Sequence, residues 1–309
     1  MNRASMTDVT VVVCCFTSAR RQQLLAAVGS ALTQARPGDQ VIVTVDHNDD
    51  LHADLHNTLD DRTILAKNSF QRGLSGARNT GAGLAVNDVI VFLDDDATLR
   101  PGALDAVRSA FADDSVVSIG GAVEADWQSG GPPPWFPAEF GWVVGCDYRG
   151  LPTDGASIRN PIGAAMAVRR DALSRIGGFS SDLGRVGHLP AGCEETLMGV
   201  LLHEHFPRQK ILRHTDFGVT HHVSADRATP RYFARRCYQE GRSKAALTRI
   251  SGQRAALSSE RSYTTRILPT ALWRARRRPS RMLALIAGFL LTTAGFATGL
   301  ARTPRKEAP

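Results

Sequence analysis

Net charge is missing from the first 273 residues of this chain. The formal charge of +7 lies wholly beyond them, in the eight Lys or Arg and one Glu that run from Arg274 to the end. A neutral body offers no broad phosphate-binding face, which excludes nucleic acid as its partner. Paired cysteine is missing too. Cys14, Cys15, Cys146, Cys193 and Cys237 are odd in number and form no C-x-x-C, so a disulfide scaffold or zinc knuckle is excluded and a reducing cytoplasm fits. The start, M-N-R-A-S-M-T-D, has no apolar h-region, so no secretory signal is expected. No internal repeat is visible. The glycine-rich piece of the chain does not follow the first strand, which excludes the nicotinamide-dinucleotide fingerprint. The remaining composition, 43% hydrophobic and 22% charged over 309 residues, suits one large or two modest globular domains.

What is present alternates between strand and helix. Val9 to Phe16 and Gln40 to Asp46 read as buried strands, and Thr63 to Ala66 as a short third. Arg20 to Gln34 carries apolar residues at helical spacing and stops at Pro37-Gly38. Gly73 to Val86 opens as a glycine-rich turn and becomes a small-residue helix. Pro101 to Phe111 reads as helix and Ser115 to Glu124 as strand. The pattern predicts an α/β fold, a mainly parallel sheet flanked by helices. From Trp127 the texture changes. Ser129 to Pro137 (S-G-G-P-P-P-W-F-P) is expected as a loop at the mouth of a site. Trp127, Trp135 and Trp142 there read as sugar platforms or, more simply, as loop packing. Ala164 to Val168 is expected as strand and Asp171 to Ile176 as a short helix closed by Gly177-Gly178.

The central stretch is D-V-I-V-F-L-D-D-D-A, Asp88 to Ala97. Its apolar run reads as a strand buried on both faces, and three adjacent carboxylates cannot continue inside that core. They belong at the carboxyl end of the strand, where open α/β sheets bind ligands. Alternation puts Asp94 and Asp96 on one side and Asp95 on the other, a hard-oxygen seat for Mg²⁺ or Mn²⁺. The plainer reading is a solvated acidic loop or a helix cap. A second acidic landmark, Glu194-Glu195, opens an apolar helix over Gly192 to Leu202, where carboxylates also suit the dipole. Lys210 to His222 reads as short strands ending in His221-His222. Tyr232 to Leu247 reads as an amphipathic helix interrupted by Gly241.

Residues 282–300 hold no charge. As a helix they reach roughly 28 Å, close to the ~30 Å hydrocarbon core of a bilayer. Arg274, Arg276, Arg277, Arg278 and Arg281 precede them, a cluster that favours the cytoplasmic side and anionic lipid. A membrane span or a membrane-associated helix is expected. The lack of a strongly polar face argues against an interfacial helix.

Taken in order, terminal Asp46, G-L-S-G-A-R-N-T-G (Gly73 to Gly81), F-L-D-D-D-A, G-G-F (Gly177 to Phe179), G-C-E-E-T and V-T-H-H-V (Val219 to Val223) resemble the family 2 glycosyltransferases with a GT-A fold. The likeness spans roughly Val9 to Ala246. It implies a metal-dependent, inverting transfer of a sugar from a nucleotide-diphosphate donor to a hydroxyl acceptor. On it, 9–124 is the nucleotide-sugar and metal half and 125–250 the acceptor half. Then follow a basic linker at 251–281, the apolar helix at 282–300 and a basic tail at 301–309. Asp94 and Asp96 match the metal-binding D-x-D, with His221 (or the adjacent His222) as a further ligand. Asp46 and Arg78 match donor contacts at the base and diphosphate, and Asp95 one at the ribose or sugar. Arg78 could equally form a salt bridge to one of the aspartates. Glu195, with Glu194 as its alternative, matches the general base, although the family more often has Glu-Asp there. Asp147, Arg159 and Asn160 fall in the acceptor half by position. The tail suggests a glycan or glycolipid acceptor, lipid-linked or at the cell surface, met at the cytoplasmic face of the membrane. The other readings are a nucleotidyltransferase and an inactive membrane-tethered sugar-binding scaffold.

Overall fold

The run V-T-V-V-V-C-C makes strand β1 (Val9–Cys15), and every residue of it is buried. A strand apolar on both faces needs cover on both, and it has it. Val9, Val11, Val13 and Cys15 pack with Leu24, Ala27, Val28 and Ala31 of helix α1 (Arg21–Gln34). Val12 and Cys14 pack on the other face with Ala77 of helix α3 (Leu74–Leu84). The period of two along β1 thus sorts the core into two layers. Between these helices lie β2 (Gln40–Val45), helix α2 (Asp49–His56) and β3 (Thr63–Lys67). The small residues of α3 have a reason: a Cβ on Gly81 would sit 2.3 Å from Val12 Cγ1. The helix therefore lies directly on the sheet.

The computed structural model describes residues 7–181, 183, 192–252 and 258–301. The sheet has eight strands in the order β3-β2-β1-β4-β7-β6-β8-β5, where β4 is Val89–Asp94, β5 Ala97–Leu99, β6 Val116–Trp127, β7 Ala165–Arg169 and β8 Lys210–Val223. Its first four, ending in β4 (Val89–Asp94), are parallel, as expected from strand–helix alternation. Beyond β4 the sheet is mixed. β7 (Ala165–Arg169) runs antiparallel to both β4 and β6 (Val116–Trp127), and β8 (Lys210–Val223) runs parallel to β6. After β4 the chain turns and forms β5 (Ala97–Leu99), which pairs antiparallel with the end of β8. That pairing sets Ala97 opposite His221. Helix α4 (Ala103–Phe111) then leads into β6.

Two expectations are revised. The stretch after Lys210 is one strand of 14 residues, not several short ones. Register shifts in β6 near Ser118 and Gly121 absorb its irregularity, and a Cβ on Gly121 would meet Phe217 O at 2.1 Å. Helix α7 (Pro230–Ser251) passes unbroken through Gly241. This glycine is a contact point rather than a break, since its Cβ would lie 2.0 Å from Thr292 O. The C-terminal helix, Pro279–Ala301, lies against α7 there. The same closeness recurs at Gly295, where a Cβ would be 2.0 Å from Tyr238 O.

Helix α5 (Arg170–Arg175) follows β7 and helix α6 (Glu194–His205) precedes β8, and no regular structure covers Ser129 to Pro137. The tryptophans pack the loop down. Trp135 meets Phe233 edge-on at 5.6 Å, Trp127 meets Phe136 at 5.2 Å, and Trp142 lies 5.4 Å from Phe140. The basic tail beyond Ala301, part of the linker (253–257) and the first six residues lie outside the described residues. Gly295→Val is expected to force α7 and the C-terminal helix apart, lowering stability by about 1–3 kcal/mol in urea unfolding.

Candidate functional site

Every group singled out on the sheet sits at the carboxyl end of a parallel strand. Asp46 follows β2 and is buried. Its carboxylate accepts from Asn68 Nδ2 at 2.7 Å and from Gly73 N at 3.0 and 3.1 Å. It therefore holds the glycine-rich turn that starts α3. Gly73 has φ +135°, a left-handed-side conformation that L side chains avoid, so glycine is required where the chain reaches for that carboxylate.

The three aspartates divide. Asp94 ends β4 and is half-buried, whereas Asp95 and Asp96 are buried in the turn before β5. Ligand atoms of Asp94, Asp96 and His221 all lie within 4.8 Å of one another. Asp95 points elsewhere, to Arg20 Nη1 at 2.7 Å, and its Oδ2 has no hydrogen-bond partner. Asp96 is surrounded by cations: Arg20 at 2.8 Å, Arg227 at 3.0 Å and His221 Nε2 at 3.1 Å. Burial would raise the Asp96 carboxyl, but His221, Arg227 and Arg20 hold it well below the usual range. Burial pushes Asp95 up to about 7 despite Arg20. Burial would lower His221, but Asp96 and the Cys146 thiol, 3.5 Å from Nδ1, carry it up to about 10.

Alternation along β8 separates the two histidines. His221 faces Asp96, while His222 lies near Asp126, 3.7 Å away. Two carboxylates and an imidazole form a hard, borderline-soft donor set that fits Mn²⁺ or Mg²⁺.

Arg78 of α3 joins this group to the second acidic landmark. It is 2% exposed and donates to Asp94 Oδ1 at 3.3 Å, Glu194 Oε1 at 3.2 Å and Gly163 O at 3.4 Å. Its guanidinium also lies over the Phe179 ring, 5.4 Å from the centroid. The salt bridge weighed for Arg78 thus exists, and it reaches Glu194 as well. Glu194 and Glu195 open α6, preceded by Cys193 at φ +78°. Glu195 Oε2 has no partner. Burial, reinforced by the Glu194 charge, raises the Glu195 carboxyl to about 8.

A cavity of about 560 Å³ has Arg78, Asp94, Glu194 and Glu195 in its wall. Arg159 and Asn160 also line it, whereas Asp147 is held by Arg213. Arg159 is paired with Glu260 at 2.7 Å. Arg20, Arg227, Asn68 and Cys146 were not among the residues expected from sequence. Only Arg20 had a signal, the basic F-T-S-A-R-R after β1. Arg227 reaches the site from a 3₁₀ turn after β8, with nothing in its neighbours to mark it.

Comparison with known proteins bears on the family and the fold. The family model described as Glycosyl transferase family 2 matches residues 10–177. The Haloferax volcanii glucosyl-dolichyl phosphate glucuronosyltransferase is 30% identical over 240 residues, 76% of each chain. The succinoglycan biosynthesis protein ExoO of Rhizobium meliloti is 37% identical over 128 residues, 37% of this chain and 35% of its own. Among solved structures, a Pyrobaculum calidifontis mannosyltransferase in complex with GDP-Man and Mn²⁺ superposes with a TM-score of 0.56 at 16% identity, covering 94% of this chain and 88% of its own. That likeness bears out the expected fold, a GT-A-type α/β domain.

Truncating Arg78 would take the cation from buried Glu194 and half-buried Asp94. Arg78→Ala is expected to destabilise the fold by about 3–5 kcal/mol in urea unfolding, far more than His222→Ala.

Proposed function

The chain belongs to glycosyl transferase family 2 and is a glycosyltransferase, and from that premise we propose a metal-dependent, inverting transfer from a nucleotide-diphosphate sugar to the hydroxyl of a glycan or glycolipid. The observation that carries this reading is the Arg78 bridge. It links Asp94, on the aspartate–histidine side, to Glu194, beside Glu195 with its unpartnered Oε2, across one cavity.

Asp94, Asp96 and His221 would hold the divalent cation, which when bound neutralises charge on the donor diphosphate. The chain's own groups do the rest. Arg78, Arg20 and Arg227 supply positive charge where the leaving diphosphate gains negative charge. Asp46 shapes the glycine-rich turn and reads the base side. Asp95, with its unpartnered Oδ2, is placed to meet the ribose or sugar. Glu195 takes the acceptor hydroxyl proton as that oxygen bonds to the anomeric carbon and the carbon–oxygen bond to the diphosphate breaks. A carboxylate raised to about 8 is a far stronger base than an ordinary one. Residues 9–124 form the donor half and 125–250 the acceptor half.

The acceptor reading rests on two supports. The Haloferax relative is named for a glucosyl-dolichyl phosphate substrate, and this chain has an apolar C-terminal helix preceded by arginines. Together they favour a lipid-linked or cell-surface acceptor, handled at the cytoplasmic face of the membrane.

The test is thermal protection by a panel of nucleoside diphosphates with and without Mn²⁺. One nucleotide is expected to raise the melting temperature only with metal, and Asp96→Ala should abolish the rise. No shift with any nucleotide, in folded protein, would sink the donor site. Glu195→Gln should keep the shift and lose turnover by about 10²–10⁴-fold.

The Glu195 base must be ionised to work. In the parent, kcat/KM should therefore rise with pH up to about 8, tenfold per unit on the lower limb. Stability runs the other way. The folded state keeps a proton there that the unfolded chain releases, so Glu195 costs stability as pH rises from the ordinary 4.5 to about 8. Glu195→Gln should flatten that slope in urea unfolding measured across this range.

A further inference from the structure

The C-terminal helix is long and apolar enough to cross a bilayer. Its packing argues for another arrangement. It lies lengthwise along α7, in contact at several levels. A Cβ on Gly288 would meet Phe140 and Phe233, one on Gly295 would meet Tyr238 O, and one on Gly299 would meet Ala245. Tyr238 and Thr298 share a hydrogen bond of 2.9 Å, and Arg249 caps the carbonyls of Gly299 and Leu300. A span in this docked state would carry α7 into hydrocarbon with it. That helix holds Arg231, Arg235 and Arg249 on its exposed surface and a partly buried chain of Arg236, Glu240 and Lys244. So many charges at the bilayer centre are prohibitive.

The face turned away from α7 tells the same story. Leu283 is 68% exposed and Leu290 58%, with Ile286, Phe289 and Leu300 also exposed. Trp273, 65% exposed, and Arg274, Arg276, Arg277 and Arg278 lie on the surface just before the helix. An apolar strip bordered by tryptophan and arginine matches the depth profile of an anionic bilayer surface. The missing polar face, which argued against an interfacial helix from sequence, is supplied by protein: α7 covers the side that water would otherwise wet.

The helix also belongs to the candidate site. Phe289, Thr292, Thr293 and Phe296 line the same cavity as Glu195. We propose that the C-terminal helix lies in the plane of an anionic membrane and forms the bilayer-side wall of the acceptor cavity, so that an acceptor with a long alkyl chain reaches Glu195 while that chain stays in lipid. The acceptor clause rests on the transferase reading above; the in-plane docking does not.

The test uses the full chain and needs neither donor nor acceptor. Flotation is measured with vesicles of phosphatidylcholine alone and with added phosphatidylglycerol. Binding is expected only with phosphatidylglycerol and should weaken at high salt. In the double variant Leu283→Asp, Leu290→Asp, partitioning should fall at least roughly tenfold. Its melting temperature should match the parent, since both side chains are exposed. Membranes of expressing cells, washed with alkaline carbonate, should release the chain. Retention after that wash would overturn in-plane docking in favour of a span. Absence of flotation would overturn the membrane face, and a dimer in solution would then assign the strip to a second copy. Loss of the nucleotide-induced melting shift with flotation intact would sink the transferase reading alone.

For the cavity wall, Thr293→Trp is introduced as an obstruction. It should raise KM for an alkyl-linked acceptor severalfold and leave KM for the donor unchanged. Equal effects on both, or none, would overturn the acceptor clause.

Discussion

A buried guanidinium shared by two carboxylates from distant parts of the chain is the constraint on which this site depends. Arg78 meets Asp94, sixteen residues on, and Glu194, 116 residues on. Each partner alone would be costly to bury, and the three together are stable only in one relative placement of β4, α3 and α6. The small residues of α3 make that placement possible. Ala77 and Gly81 let the helix lie directly on β1, and this brings Arg78 to the strand ends without a long reach. The Phe179 ring closes over the guanidinium and excludes water, which strengthens the pairing.

The same economy governs the aspartates. Three adjacent carboxylates repel one another, and the fold resolves this by giving them different surroundings. Asp94 takes Arg78, Asp95 takes Arg20, and Asp96 takes Arg20, Arg227 and His221. Their proton affinities separate accordingly, with Asp95 raised by burial and Asp96 held low by its cations. A cation entering among Asp94, Asp96 and His221 would compete with those arginines, and a diphosphate arriving beside it would offer them new partners.

The far wall of the cavity is built differently. Here the sheet gives way to α7 and the C-terminal helix, pressed together at glycines where backbone meets backbone. Close helix contact through small residues leaves the larger apolar side chains pointing outward. The cavity wall consequently combines the carboxylates Glu194 and Glu195 with Phe289 and Phe296 of the C-terminal helix and Arg236, Glu240 and Lys244 of α7.

Much of this was legible in the residues themselves. Five consecutive apolar residues before three aspartates read as a buried strand ending at a ligand edge, and Val9 to Phe16 as another buried strand. These are consequences of local pattern and burial cost, so the alternating α/β order and the strand-end position of Asp46 and Asp94 followed from sequence. Contacts between distant segments left no such trace. Arg227 sits in an unremarkable turn, and His221 and His222 are indistinguishable until the pairing of Ala97 with His221 sets the register. Gly241 reads as a helix breaker because its purpose, the approach of Thr292, lies on another helix. The missing polar face of the C-terminal helix has the same origin, since its cover comes from α7. Local chemistry determined what each segment is, whereas only tertiary packing decided what each charge and each apolar face meets, because those partners are a hundred residues away and are chosen by geometry.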